Sequence, residues 1–210
     1  MHRLALVLTL LISNTVRALP ETERTDDTKL WLAVAFVAEA GWAGQNKPKA
    51  EADHRGIFHV LKNRWPRLKR RFPKRFPRYV DVVQAYVAAL DPRTKGKRVR
   101  WLLRMGLDPT QAPAYWPAKV KWSVHKPLWI RALQRAQDCL AGTPGKCRDP
   151  YKGKALHWGG EMDRPTECMV LLPNAGTYND FYGVDTECTR DRRQKRKGEA
   201  TGRVLRLGQK

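Results

Sequence analysis

No apolar run in this chain reaches the ~18 residues that a membrane-spanning helix requires. Negative charge is scarce: 20 Asp and Glu stand against 41 Lys and Arg, a formal charge of +21. Cysteine is limited to four positions, and none forms the CxxC pair typical of a zinc site. Glycine and proline follow no triplet repeat and apolar residues no sustained heptad, which excludes collagen and coiled coil. Three catalytic signatures are missing as well. His54 and His59 lie five apart, so there is no HExxH zinc-protease helix. There is no GxSxG elbow and no phosphate-binding loop. The chain is nevertheless 42% hydrophobic with eight Trp. That is enough for one globular domain with a core, or at most two small ones, and too apolar for wholesale disorder.

The first residues have the layout of a secretory signal. His2 and Arg3 precede the apolar run Leu4 to Ile12, and Val16-Arg17-Ala18 offers a small residue for cleavage. The expectation is a signal over residues 1–18, cut after Ala18, and a secreted or periplasmic, wall-associated protein. A buried first helix is the alternative, but no amphipathic period runs through the segment. Export sets how Cys139, Cys147, Cys168 and Cys188 are interpreted, because an even count in an oxidising compartment predicts two disulfides. Three pairings exist. Cys139–Cys147 and Cys168–Cys188 are favoured because each closes a short loop.

Positive charge is clustered. Nine Lys or Arg and no acid lie between Lys62 and Arg78, interleaved with Trp65, Phe72 and Phe76. Pro66, Pro73 and Pro77 predict an exposed cationic loop there. A second basic cluster runs from Arg93 to Arg104. Residues 189–210 are basic and poor in apolar side chains, which predicts a disordered tail. A protein of this charge attracts polyanions. The expected partners are anionic wall polymers or lipopolysaccharide, through Lys62–Arg78 and the tail, with nucleic acid as a non-specific alternative. A monomer is expected.

Local patterns give a mainly helical α+β domain. Asp26, Asp27 and Thr28 supply helix-start acids and a cap, and Leu30 to Ala38 is apolar throughout, which predicts a buried helix ending near Gly41. Ile57, Val60, Leu61 and Trp65 predict a second helix over residues 50–65, stopped by Pro66. A third spans 79–90, and 101–105 is one or two helical turns. Residues 110–126 are expected to be irregular. Pro127 suits a first helical position, with a helix over 128–141 closed by Gly142. Short strands are expected at 155–158 and 169–172, in a small irregular or β part at the carboxy-terminal end. Residues 19–28 are expected to link signal and domain.

Glu39 is the one charged residue between Lys29 and Lys47. Burial and the negative end of the helix dipole both disfavour a carboxylate there, burial more strongly, which is the setting of a general acid. The plainer alternative is that Glu39 marks where the helix surfaces. His157-Trp158-Gly159-Gly160 is a second unusual cluster. An aromatic beside a hydrogen-bonding ring, with two glycines for close approach, suits a sugar-binding site; a core Trp and a turn fit equally well. Phe181-Tyr182 fits core better than an aromatic wall.

Four segments then resemble, in order, the spore-cortex-lytic, SleB-type cell wall hydrolases. They are Leu32-Ala-Val-Ala-Phe-Val-Ala-Glu39-Ala-Gly, Gly56-Ile-Phe-His-Val-Leu-Lys-Asn63-Arg64, Lys154-Ala-Leu-His157-Trp158 and Asn179-Asp-Phe181-Tyr182. Trp158 stands where the family has Tyr, and Asn179 where it has His. The resemblance implies a hydrolase domain over residues 29–188 with a lysozyme-like fold. It also implies cleavage of the N-acetylmuramic acid to N-acetylglucosamine bond of peptidoglycan, with Glu39 as the catalytic acid. Hydrolysis needs a second carboxylate, for which Asp53, Glu161 and Asp163 are the candidates; Glu161 and Asp163, beside His157-Trp158, fit a groove best, and Asp53 is expected to pair with Arg55. Lytic transglycosylation needs none, because the muramic 6-hydroxyl attacks within the same sugar, and a lone conspicuous Glu favours it. Asn63 and His157 would position the sugar, Trp158 and Tyr182 would stack on it, and the reaction requires no metal or cofactor. The rival expectation is a secreted cationic binding protein without catalysis.

Overall fold

The computed structural model describes residues 18–40, 47–88, 95–108, 110, 122–159, 168–173, 175–177, 179–191 and 194. The expected signal segment up to residue 17, the carboxylates Glu161 and Asp163, and the tail beyond 194 lie outside the described residues. Five long helices and three short strands are present: α1 (Asp26–Ala40), α2 (Lys47–Arg71), α3 (Tyr79–Ala88), α4 (Lys95–Met105), α5 (Trp122–Ala141), β1 (His157–Gly159), β2 (Met169–Leu171) and β3 (Asp180–Val184). The mainly helical α+β expectation holds. Among the described residues no helix is long and apolar enough to cross a membrane.

α1 is the axis of the molecule. Every side chain from Leu32 to Ala38 is buried, and α2, α3, α4 and α5 all pack against it. A helix apolar on all sides can exist in water only when surrounded, so the unbroken apolar run dictates this central position. Its start differs in detail from expectation: Thr25 is the cap, its Oγ1 accepting the Thr28 N–H at 3.1 Å.

The segment expected to be a linker belongs to the fold. Leu19 is part of the core, and a 3-10 turn spans Glu21–Glu23. The buried Glu23 carboxylate accepts the first N–H of α3, from Tyr79, at 2.7 Å. A carboxylate at a helix start satisfies an orphan donor and meets the positive end of the dipole. The amino-terminal residues thus pin α3 to α1.

Two proline-based boundaries are corrected. α2 continues through Pro66 to Arg71, and α5 begins at Trp122, ahead of Pro127. A proline inside a helix removes one hydrogen bond and bends the chain, a cost of about 3 kcal/mol that packing on both sides offsets. Around Pro66 that packing is Trp65, buried against Tyr79, and the half-buried Leu68. The interval from Lys62 to Arg78 is therefore a helix end and a turn rather than a loop. α4 is longer than expected, and Gly142 closes α5 with φ +67° as expected.

The strands form an antiparallel sheet of order β1-β3-β2. β3 is central; its Phe181 and Tyr182 are core, as expected, and they also form a strand that the sequence pattern does not predict. His157 pairs with Tyr182 and Trp158 with Phe181. Both expected disulfides are present, Cys139–Cys147 and Cys168–Cys188. The first ties the end of α5 to the following loop. The second joins the start of β2 to a helical stretch over residues 186–191, so the tail is helical where it begins.

Candidate active site

Glu39 lies in the last turn of α1 and is half-buried, where the central helix leaves the core. One turn earlier, Phe36 stacks on His54 of α2, with ring centroids 4.7 Å apart and planes within 7°. That stack fixes the end of α1 against α2.

Further along α2 the structure gathers Asn63, His157, Trp158 and Tyr182. Asn63 Nδ2 donates to the Ala155 carbonyl at 3.1 Å and Arg64 Nη1 to the Leu156 carbonyl at 3.3 Å. These two bonds moor the residues leading into β1. His157 then lies 6.4 Å from the Trp158 ring and 6.2 Å from the Tyr182 ring, centroid to centroid. His157 is half-buried, whereas Trp158 and Tyr182 are only 8% and 4% exposed. Trp158 stacks on Tyr86 of α3 at 5.0 Å, and the Arg64 guanidinium covers Tyr86 at 4.9 Å. Trp158 and Tyr182 therefore build the wall of this corner rather than offer open faces to a sugar. Asn63 likewise holds backbone. His157 and Asn63 are the half-buried members of the four.

Tyr86 was not foreseen. It sits in the expected third helix as one more periodic aromatic, and nothing in its spacing marks it. Its hydroxyl is buried with no hydrogen-bond partner among the described residues. An unsatisfied buried hydroxyl costs about 1–3 kcal/mol.

Asp53 is fully buried. Its Oδ1 accepts the Asn179 N–H at 3.0 Å, which anchors the loop leading into β3 onto α2. Burial lowers the Arg55 pKa most, the Arg135 charge adds to it, and Glu51 opposes them. Glu51 itself pairs with Arg135 at 2.9 Å. Beside Asp53, the Tyr151 hydroxyl lies 3.4 Å from Thr177 Oγ1, and burial raises the Tyr151 pKa.

A separate polar cluster surrounds the first disulfide. His59 Nε2 donates to the Cys147 carbonyl at 2.9 Å, and Nδ1 faces Asp149 Oδ2 at 3.5 Å. Asp149 also accepts the N–H groups of Tyr151 and Gly153. Burial lowers the His59 pKa; the Asp149 carboxylate and the Cys147 carbonyl act against it, and Lys62 and Arg55 reinforce it. Among the described residues, no group of three or more His, Cys, Asp or Glu is placed to hold a metal ion.

No family model, no curated protein and no solved structure matches the chain. The residues themselves carry the functional argument.

Proposed function

We propose that this protein cleaves the glycan strand of peptidoglycan between N-acetylmuramic acid and N-acetylglucosamine, as a lytic transglycosylase with Glu39 as its acid and then its base. The observation that carries the proposal is the placement of Glu39: one carboxyl group at the end of a central helix whose preceding seven side chains are all buried. The four motif segments that resemble the spore-cortex-lytic hydrolases support it, and a lysozyme-like arrangement of the helices belongs to the same proposal. Export to the wall is in keeping with the two disulfides.

The protonated Glu39 donates to the glycosidic oxygen as the bond to the muramic C1 breaks. Positive charge develops on C1. The 6-hydroxyl of the same sugar then adds to C1 and returns its proton to Glu39, which leaves a 1,6-anhydro end. Intramolecular attack is favoured by proximity and removes the need for a second carboxylate. Asp53, buried and bonded to Asn179, is poorly placed to activate water, which supports the single-acid route. His157 is a half-buried polar group set beside the rings of Trp158 and Tyr182, in keeping with a sugar subsite.

The test is incubation of the purified protein with isolated sacculi and mass spectrometry of the released fragments. Anhydro ends, ~18 Da lighter than reducing ends because no water is added, are expected. Reducing ends alone would replace transglycosylation by hydrolysis. Undiminished strand length after prolonged incubation would reject both and leave the cationic binding protein.

A further inference from the structure

We infer that the exposed end of α2 and the turn after it, from Arg67 to Arg75, dock onto a membrane surface of anionic phospholipid. This inference stands apart from the Glu39 chemistry. The helix does not stop at Pro66, and the chain still coils at its end, where the Phe72 N–H bonds the Leu68 carbonyl at 2.7 Å. Residues 69–75 are exposed without a break. Successive helical residues point about 100° apart. Exposure of Lys69, Arg70 and Arg71 together therefore means that the segment stands clear of the body on three sides.

The charge on this projection is uncompensated. No Asp or Glu occurs between Asp53 and Asp81 in sequence. Asp81 is engaged by Arg78, through both its backbone N–H and its guanidinium. Arg67, Lys69, Arg70, Arg71, Lys74 and Arg75 enter none of the ion pairs among the described residues. Like charges crowded this closely repel one another, which a polyanion would relieve.

The geometry selects the kind of polyanion. A linear strand laid along one side of the projection would meet only the bases on that side. A headgroup layer into which the tip settles meets all of them. Nucleic acid usually adds stacking on open aromatic faces. Here Lys69 lies over Trp65 at 5.0 Å and Arg75 over Phe76 at 5.1 Å, and both rings are buried beneath their cations. The ring left open is Phe72, 43% exposed, with Arg71 beside it at 5.2 Å. An apolar ring flanked by guanidinium and ammonium groups suits the boundary between phosphate and acyl chain.

The experiment is co-sedimentation of the full chain with vesicles of phosphatidylcholine, with or without phosphatidylglycerol. Binding is expected only with phosphatidylglycerol. Each basic residue near such a surface is worth about fivefold in partitioning, ~1 kcal/mol. Lys69→Gln/Arg70→Gln/Arg71→Gln should lower it about a hundredfold with an unchanged far-UV spectrum. A charge-matched control, Lys146→Gln/Arg148→Gln/Lys152→Gln, should lower it less than tenfold. Equal losses from the two triples would overturn the assignment to this segment. Tighter binding to a DNA duplex than to phosphatidylglycerol vesicles, at equal phosphate concentration, would overturn the choice of partner.

Discussion

The ring of Phe181 occupies the space in which a side chain on Gly56 would begin: a Cβ there would fall 2.3 Å from Cζ and 2.5 Å from Cε1. The central strand of the sheet docks on α2 through this contact. Gly56→Ala raises helix propensity by about 0.8–1.0 kcal/mol but forces the ring aside in a packed core. Overpacking costs about 1–3 kcal/mol, so after the propensity gain a net loss of up to about 2 kcal/mol is expected, read as a lower denaturation midpoint in urea. Phe181→Leu on the Gly56→Ala background should recover part of it. If Gly56→Ala alone stabilised the protein, the docking role of Gly56 would be wrong.

That contact shows which parts of the fold were legible in the sequence. The central helix was, because nine successive apolar residues leave a helix no solvent-facing side. The disulfides were, because short loops favour their own closure. Gly56 was not, since a glycine in a helix announces a close approach only when the approaching ring is known. β3 was missed for a related reason: Phe181 and Tyr182 look like core, and they are core, but their pairing with His157 and Trp158 is a long-range fact. Pro66 and Pro127 misled because a helix packed on both sides of a proline withstands the missing bond. Glu39 was legible as the lone charge of an apolar stretch, and it lies half-buried at the end of α1. The burial of Trp158 and Tyr182 was not legible, because residue type does not distinguish a ring that faces a ligand from one packed on Tyr86 or on His157.

His59 makes stability depend on pH. Its folded pKa lies below the ordinary value, with burial the main cause, so between that folded value and about 6.5 the unfolded chain binds more protons. The contribution of His59 is therefore complete above about pH 6.5 and is lost as pH falls through the folded value. The melting temperature of the wild type should fall more than that of His59→Gln between about pH 7.5 and about pH 5.5. Asp149→Asn removes the charge that holds the His59 pKa up, and should enlarge this loss. A wild type that gained stability relative to His59→Gln on acidification would contradict the assignment.

The two disulfides close chain separations of 8 and 20 residues. On chain entropy, replacing each pair by alanine costs about 2.5 kcal/mol for Cys139–Cys147 and about 3.3 kcal/mol for Cys168–Cys188. Denaturant titration of the two double variants checks both values. The Cys147 carbonyl is also the His59 acceptor and holds its pKa up, so loosening that bond in the first variant should enlarge the acid loss described above. A first variant with unaltered pH dependence would place His59 outside the disulfide-closed loop's influence.

Two substitutions separate an acid at position 39 from a mere negative charge. Glu39→Gln keeps the shape and removes the proton donor. General acid catalysis contributes roughly 10²–10⁴-fold, so wall-clearing activity should fall by at least about 10²-fold. Glu39→Asp keeps the chemistry but shortens the side chain by one methylene, drawing the proton back by about 1.5 Å from the bond it must reach, and positioning at that scale is worth on the order of 10²-fold. A proton donor therefore predicts that both variants fail, Asp nearly as badly as Gln. A carboxylate that only attracts a cationic group, or holds the end of α1, predicts that Asp retains most of the activity while Gln loses it. Initial rates of turbidity loss, with circular dichroism to confirm equal folding, decide between the two.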